Sequence, residues 1–213
     1  MFPKPTKQDP QSKFNLRFLH SSLTMVELEA GDFSWIDTLR YAVDGSGTDR
    51  EILGKLIDVP GYAHSYAAPR ANPMLAESPD YHGPYWRKAI SEHSYQPISH
   101  HTARRELETW IYAPGSLSAF GTEAPLGPDA PSLEQAIATS SRVYEDSVGR
   151  VNPDISVLVD RVLAESHRLY RLDDLRAAAE HDWGWVVGAG GFIEIAAVSE
   201  HSDEVTLLVA SDD

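Results

Sequence analysis

At 213 residues, with 42% hydrophobic and 23% charged side chains, the chain is long enough to bury a core and too apolar to remain disordered. It has no cysteine, which excludes disulfides, thiolate metal ligands and thiol nucleophiles and fits a reducing, cytoplasmic setting. Its net charge of −14 sits almost wholly in one half: residues 1–106 hold 12 Lys+Arg against 13 Asp+Glu, and residues 107–213 hold 6 Arg against 19 Asp+Glu. Duplex DNA and anionic lipid are bound through Lys and Arg, so neither nucleic acid nor a membrane surface is an expected partner.

Residues 1–13 read as a solvated, flexible leader, and 14–213 as a single domain. Phe14, Leu16 and Phe18 alternate with polar residues, the period of a half-buried strand, and Ser22 to Glu29 continues in the same style. Ser34-Trp-Ile-Asp37 has capping-box spacing, and Ile36, Leu39, Arg40 and Val43 follow at helical intervals, so a helix is expected there. Thr48-Asp-Arg-Glu51 is a second box, leading an apolar stripe of Ile52, Leu53, Leu56 and Ile57 that ends at Pro60.

From about 60 to 98, prolines at 60, 69, 73, 79, 84 and 97 break any long helix. A loop of this length inside a compact domain usually carries function. Ser99 is placed to cap a helix through His100 and His101; a strand over 104–112 is the alternative, since Glu106, Trp110 and Tyr112 fall on alternating positions. A helix is expected from Ser132. Asn152-Pro153 opens the longest one, driven by Ile155, Leu158, Val159, Val162, Leu163 and Leu169, with His167 on its polar flank. A last helix is expected over Asp174–His181. The C-terminus reads as β throughout, in segments 183–187, 190–198 and 205–210, with Ser199–Asp203 as a hairpin turn. The fold class is α+β: a mostly antiparallel sheet with helices on one face and a C-terminal β-meander.

Segment 60–112 holds five of the nine histidines and six of the nine tyrosines. Such side chains carry an apolar body with a polar tip, and with Arg they suit a convergent ligand site. His82, on a Gly83-Pro84 turn that also brings Trp86 near, and His101 are the candidate acid–base residues. Tyr81, Trp86, Arg87, Arg104 and Trp110 are the candidate ligand-binding residues, the arginines holding an anionic group. His100 and His101 point about 100° apart and match no helical metal spacing, so no metal site is read, and no cofactor motif is present. Gly188-Ala-Gly-Gly191 follows a strand with no helix after it, which argues for a turn over a phosphate loop. Glu194 is expected to face solvent.

Two functions follow. One is a small-molecule protein or enzyme whose pocket is formed by segment 60–112, with an anionic ligand. The other is a non-catalytic acidic protein, of the immunity or inhibitor kind, that covers a basic protein target.

Overall fold

The computed structural model describes residues 14–27, 33–59, 61–67, 80–112, 154–187 and 191–212. The expected leader, the helix from Ser132 and residues 188–190 lie outside these residues. Along the chain the elements are β1 (Phe14–Glu27), β2 (Phe33–Gly45), α1 (Asp49–Asp58), β3 (Tyr81–His82), β4 (Tyr85–Trp86), β5 (Tyr95–Ile98) and α2 (His100–Tyr112). There follow α3 (Asp154–Val162), β6 (His167–Leu172), α4 (Arg176–Ala179), β7 (Ile193–Ser199) and β8 (Glu204–Asp212). Six strands form one sheet in the order β1-β2-β8-β7-β6-β5, every neighbouring pair antiparallel. β6, β7 and β8 make the C-terminal meander. β3 and β4 form a separate hairpin.

Alternation along the central strands divides the core in two. On one face Leu39, Tyr41, Val43, Ala196, Val198, Val205, Leu207 and Val209 meet α1 and the tyrosines of 62–95. On the other, Ile36, Ile195, Ala197, Leu208 and Ala210 meet the stripes of α2 (Ala103, Leu107, Trp110, Ile111) and α3 (Ile155, Leu158, Val159, Val162). α2 and α3 thus share one face, while α1 and the described parts of the proline-broken segment cover the opposite one. A bulge between Phe18 and His20 shifts the β1 register. It explains why Phe14 and Leu16 point to the α1 side and Val26 to the α2 side, since one inserted residue swaps the faces.

α1 begins on its capping box as expected, with the Thr48 side chain accepting from Glu51 N and Glu51 reaching back to Thr48 N. In α2 the Ser99 hydroxyl accepts from Thr102 N at 3.1 Å, so the strand alternative over 104–112 falls.

Other expectations are corrected. The segment read as a helix after Ser34 is β2, inside the sheet; residues 34–39 are all buried because both strand faces are covered. Such a strand loses its alternating pattern, and its apolar spacing matched a helix by coincidence. α3 stops at Val162, where the His167 ring lies 2.9 Å from the Val162 carbonyl, and both His167 and Leu169 belong to β6. The helix expected over 174–181 shrinks to four residues, Arg176–Ala179. The strand expected over 183–187 is a 3₁₀ turn, Gly184–Val186, closed by Gly184 N to the His181 carbonyl and Val187 N to the Gly184 carbonyl.

Candidate functional site

A cluster of buried polar side chains lies where the β3–β4 hairpin sits on β7. His82 and Tyr85 are partners across this hairpin, as are Tyr81 and Trp86, so His82 shares a side with Tyr85 and not with Trp86. The turn is possible because Gly83 takes φ +54°, and a Cβ there would lie 2.5 Å from the Phe192 ring. The hairpin is tied down by Gly83 N to the His64 carbonyl, 2.8 Å, and by His181 N to the Pro84 carbonyl, 3.1 Å.

These ties drive His82 into the core. Its Nε2 meets the Glu194 carboxylate, and both residues are sealed from solvent. Its Nδ1 lies 2.7 Å from the Tyr62 carbonyl, which can only accept, so Nδ1 carries a proton. The other carboxylate oxygen accepts from the Tyr95 hydroxyl, and the Tyr62 hydroxyl lies 2.9 Å from that of Tyr95 and 3.4 Å from Glu194 Oε1. Burial first, and the Glu194 charge next, push both phenols well above their ordinary pKa, so they remain donors. The Tyr62 ring stacks on the imidazole at 3.7 Å and 4°, and the Tyr66 and Phe192 rings meet it edge-on.

Two further histidines support the hairpin. His64 Nδ1 accepts from Tyr66 N at 2.9 Å, next to a Tyr66 backbone held at φ +55°. His181 accepts from Trp183 N through Nδ1, lies 3.0 Å from the Gly83 carbonyl through Nε2, and stacks on Tyr81 at 4.2 Å.

The residues singled out from the sequence do not share one hollow. Tyr81, His82, Trp86 and Arg87 gather at the hairpin, on the α1 side of the sheet. His101, Arg104 and Trp110 belong to α2, whose apolar stripe packs on the opposite face. His101 is exposed in the first turn of α2, and Trp110 is buried with its Nε1 donating to the Gly191 carbonyl at 2.6 Å. Arg104 pairs with Asp160 at 2.6 Å and Glu108 at 3.6 Å. Arg87 donates to the Ile57 carbonyl at 2.8 Å and lies 3.8 Å from Asp58. An open hollow of about 490 Å³ does adjoin Trp86 and Arg87, bordered by Ile57, Asp58, Asp80, Lys88 and Ile90. His82 does not open into it.

Glu194 is the member of this buried cluster that sequence reasoning missed. It was placed on the solvent side because its neighbours Ile193 and Ile195 point together the other way; in a strand covered on both faces, the second face is interior too. Among the described residues no group of three or more His, Cys, Asp or Glu is arranged to hold a metal ion, and no helix is long and apolar enough to cross a membrane. The chain matches no protein-family model, no curated protein and no solved structure.

Proposed function

We propose that the protein is a non-catalytic binding module that engages a basic protein partner through its acidic surface. The observation that supports this reading is the commitment of the arginines. Arg17, Arg40, Arg104, Arg168 and Arg171 are paired with Asp44, Glu204, Asp160, Asp49 and Glu106, and Arg50 and Arg87 donate to backbone carbonyls. Arg87 and Arg104, expected to hold an anionic ligand, are thereby engaged, while a net charge of −14 leaves carboxylates in surplus. Electrostatic complementarity of this kind serves association rate and partner choice.

Calorimetric titration with octa-arginine and octalysine tests the reading. Binding is expected at about 50 mM salt and should weaken at least about tenfold near 300 mM, because exposed charges are screened beyond a few ångströms there. No association with either peptide, or association indifferent to salt, sinks it.

A second reading, acid–base chemistry at His82, is favoured by the His82–Glu194–Tyr95 cluster, which has the membership of a proton-transfer site. It requires the β3–β4 hairpin to lift from β7 before a substrate can reach the imidazole. Hydrogen–deuterium exchange tests it: fast exchange at Gly83 N supports hairpin opening, and exchange as slow as in β7 removes it.

A further inference from the structure

We propose that Trp183 and Trp185 form the contact shelf for the basic partner, and that they receive arginine side chains; this rests on the reading of an acidic partner-binding module. Trp35 and Trp110 are buried, yet Trp183 and Trp185 stay 66% and 65% exposed. Leaving two indoles in water forgoes the burial that tryptophan normally contributes, and paired exposed tryptophans are typical anchors of interfaces. Their ring centroids lie 6.5 Å apart with planes tilted by 37°, so both π faces belong to one small surface.

The shelf is rigid. Gly184, between the two tryptophans, fits against the Pro84 carbonyl so closely that a Cβ would lie 2.5 Å from it. Trp183 N donates to the His181 ring, and His181 is itself stacked on Tyr81, with Trp86 edge-on at 6.0 Å. A preformed aromatic surface lowers the ordering cost of binding.

Charge selects the occupant. Glu180 and Asp182 flank the tryptophans, both exposed, and among the described residues no cation pairs with either carboxylate. Among those residues no cation lies over either indole, although Lys88 sits 5.3 Å from the Trp86 centroid in the same neighbourhood. Indole faces carried on the same short segment as these two exposed carboxylates fit a guanidinium, whose plane stacks on a ring while its N–H groups suit a carboxylate. An ammonium is a more strongly hydrated point charge and gains less from the ring. An anionic lipid surface is disfavoured by the same carboxylates.

The experiment titrates the full chain with octa-arginine and octalysine, comparing wild type with Trp183→Ala/Trp185→Ala and with Glu180→Gln/Asp182→Asn, each checked for an unchanged thermal midpoint. Octa-arginine is expected to bind at least about threefold more tightly than octalysine. The double tryptophan variant should lose about tenfold or more in octa-arginine affinity and most of that discrimination. The double amide variant should lose about two- to fivefold and flatten the salt dependence. Salt-sensitive binding that ignores the tryptophans overturns the shelf and leaves the acidic-module reading standing. Absence of binding to both peptides overturns both. Tryptophan-dependent binding to phosphatidylcholine vesicles without any to octa-arginine also overturns the shelf's assignment to arginine.

Discussion

His82 and Glu194 stand 112 residues apart in the chain and are hydrogen-bonded to each other in the interior. The contact joins the β3–β4 hairpin to β7, so an isolated two-residue-strand hairpin, marginal alone, is held by a charge-assisted bond to the sheet. Glu194→Gln removes the carboxylate and leaves an imidazole with a poor partner in a sealed site. Breaking one member of a buried pair costs about 3–5 kcal/mol, which for a chain of this size lowers the thermal midpoint by roughly 10 °C. His82→Leu/Glu194→Leu should be less destabilised than the sum of its two single variants, because no orphaned charge is left, but not restored, since the Tyr62 carbonyl loses its donor. Urea unfolding of the four proteins completes the cycle. A Glu194→Gln variant within about 1 kcal/mol of wild type would show the pair to be structurally idle.

The two phenols on the other side of the carboxylate are not equivalent. Tyr95 donates directly to Glu194 Oε1, whereas Tyr62 lies 3.4 Å from that oxygen and closer, at 2.9 Å, to the Tyr95 hydroxyl. Tyr95→Phe should therefore cost about 1.5–3 kcal/mol and Tyr62→Phe about 0.5–1.5 kcal/mol, the range for a bond to a charged group against one between neutral groups. Equilibrium denaturation ranks them, and the reverse order would mean that Tyr62 is the true partner of the carboxylate.

How much of this could be read along the chain follows from what covers each segment. α1 was legible because its caps and its stripe act locally: Thr48, Glu51 and the apolar residues at 52, 53, 56 and 57 need nothing from the rest of the chain. The β7–β8 hairpin was legible because Ser199 accepts from Asp203 N and Glu204 N within its own turn. β2 was not, since its first half, residues 34–39, is buried on both faces and has no solvent side to fix its period. The same cause hid Glu194. His82 was found from the Gly83-Pro84 turn, but its inward aim depends on the His64 carbonyl and on Phe192, contacts that no spacing encodes. The grouping of His101, Arg104 and Trp110 with the hairpin failed because the segment between Pro97 and Ser99 carries the chain from the sheet onto its opposite face.

Stability should fall at both ends of the pH range, for separate reasons. Hydrogen bonds from Arg168, then from Tyr170, hold the Asp49 carboxyl below its usual range against the opposing effect of burial, with Arg168 Nε at 2.6 Å. A depressed folded pKa gives stability that is present above the unfolded value and lost as pH falls through about 4 and below. Tyr62 and Tyr95 are raised, chiefly by burial, and Tyr170 is pushed up to about 12 by burial and by its bond to Asp49. A raised pKa gives stability that is complete below the unfolded value near 10 and declines as pH climbs past it. Chemical denaturation between about pH 3 and pH 11 should show a plateau with two falling sides. Asp49→Asn should lower the plateau by about 1–2 kcal/mol and soften the acid side, and through the lost bond to Tyr170 it should soften the alkaline side as well. Tyr95→Phe should lower the plateau by the cost of its lost bond to Glu194 and soften the alkaline side, with the shape of the acid side unchanged. An Asp49→Asn profile parallel to wild type at low pH would remove Asp49 from the account.

Gly83 is the position on which the hairpin turns, and two independent constraints meet there. Its φ of +54° is a conformation that side chains with a Cβ adopt at a cost, and the space where a Cβ would stand is taken by Phe192 at 2.5 Å. Gly83→Ala is thus expected to destabilise by about 2–4 kcal/mol, combining backbone strain with overpacking. Phe192→Ala frees the space and leaves the backbone unchanged. The double variant Gly83→Ala/Phe192→Ala should therefore lose the steric part of the Gly83→Ala penalty and retain about 1 kcal/mol of it, measured against Phe192→Ala alone. If the Gly83→Ala penalty is the same with and without the Phe192 ring, the ring is not what the glycine accommodates, and the turn's conformation alone requires it.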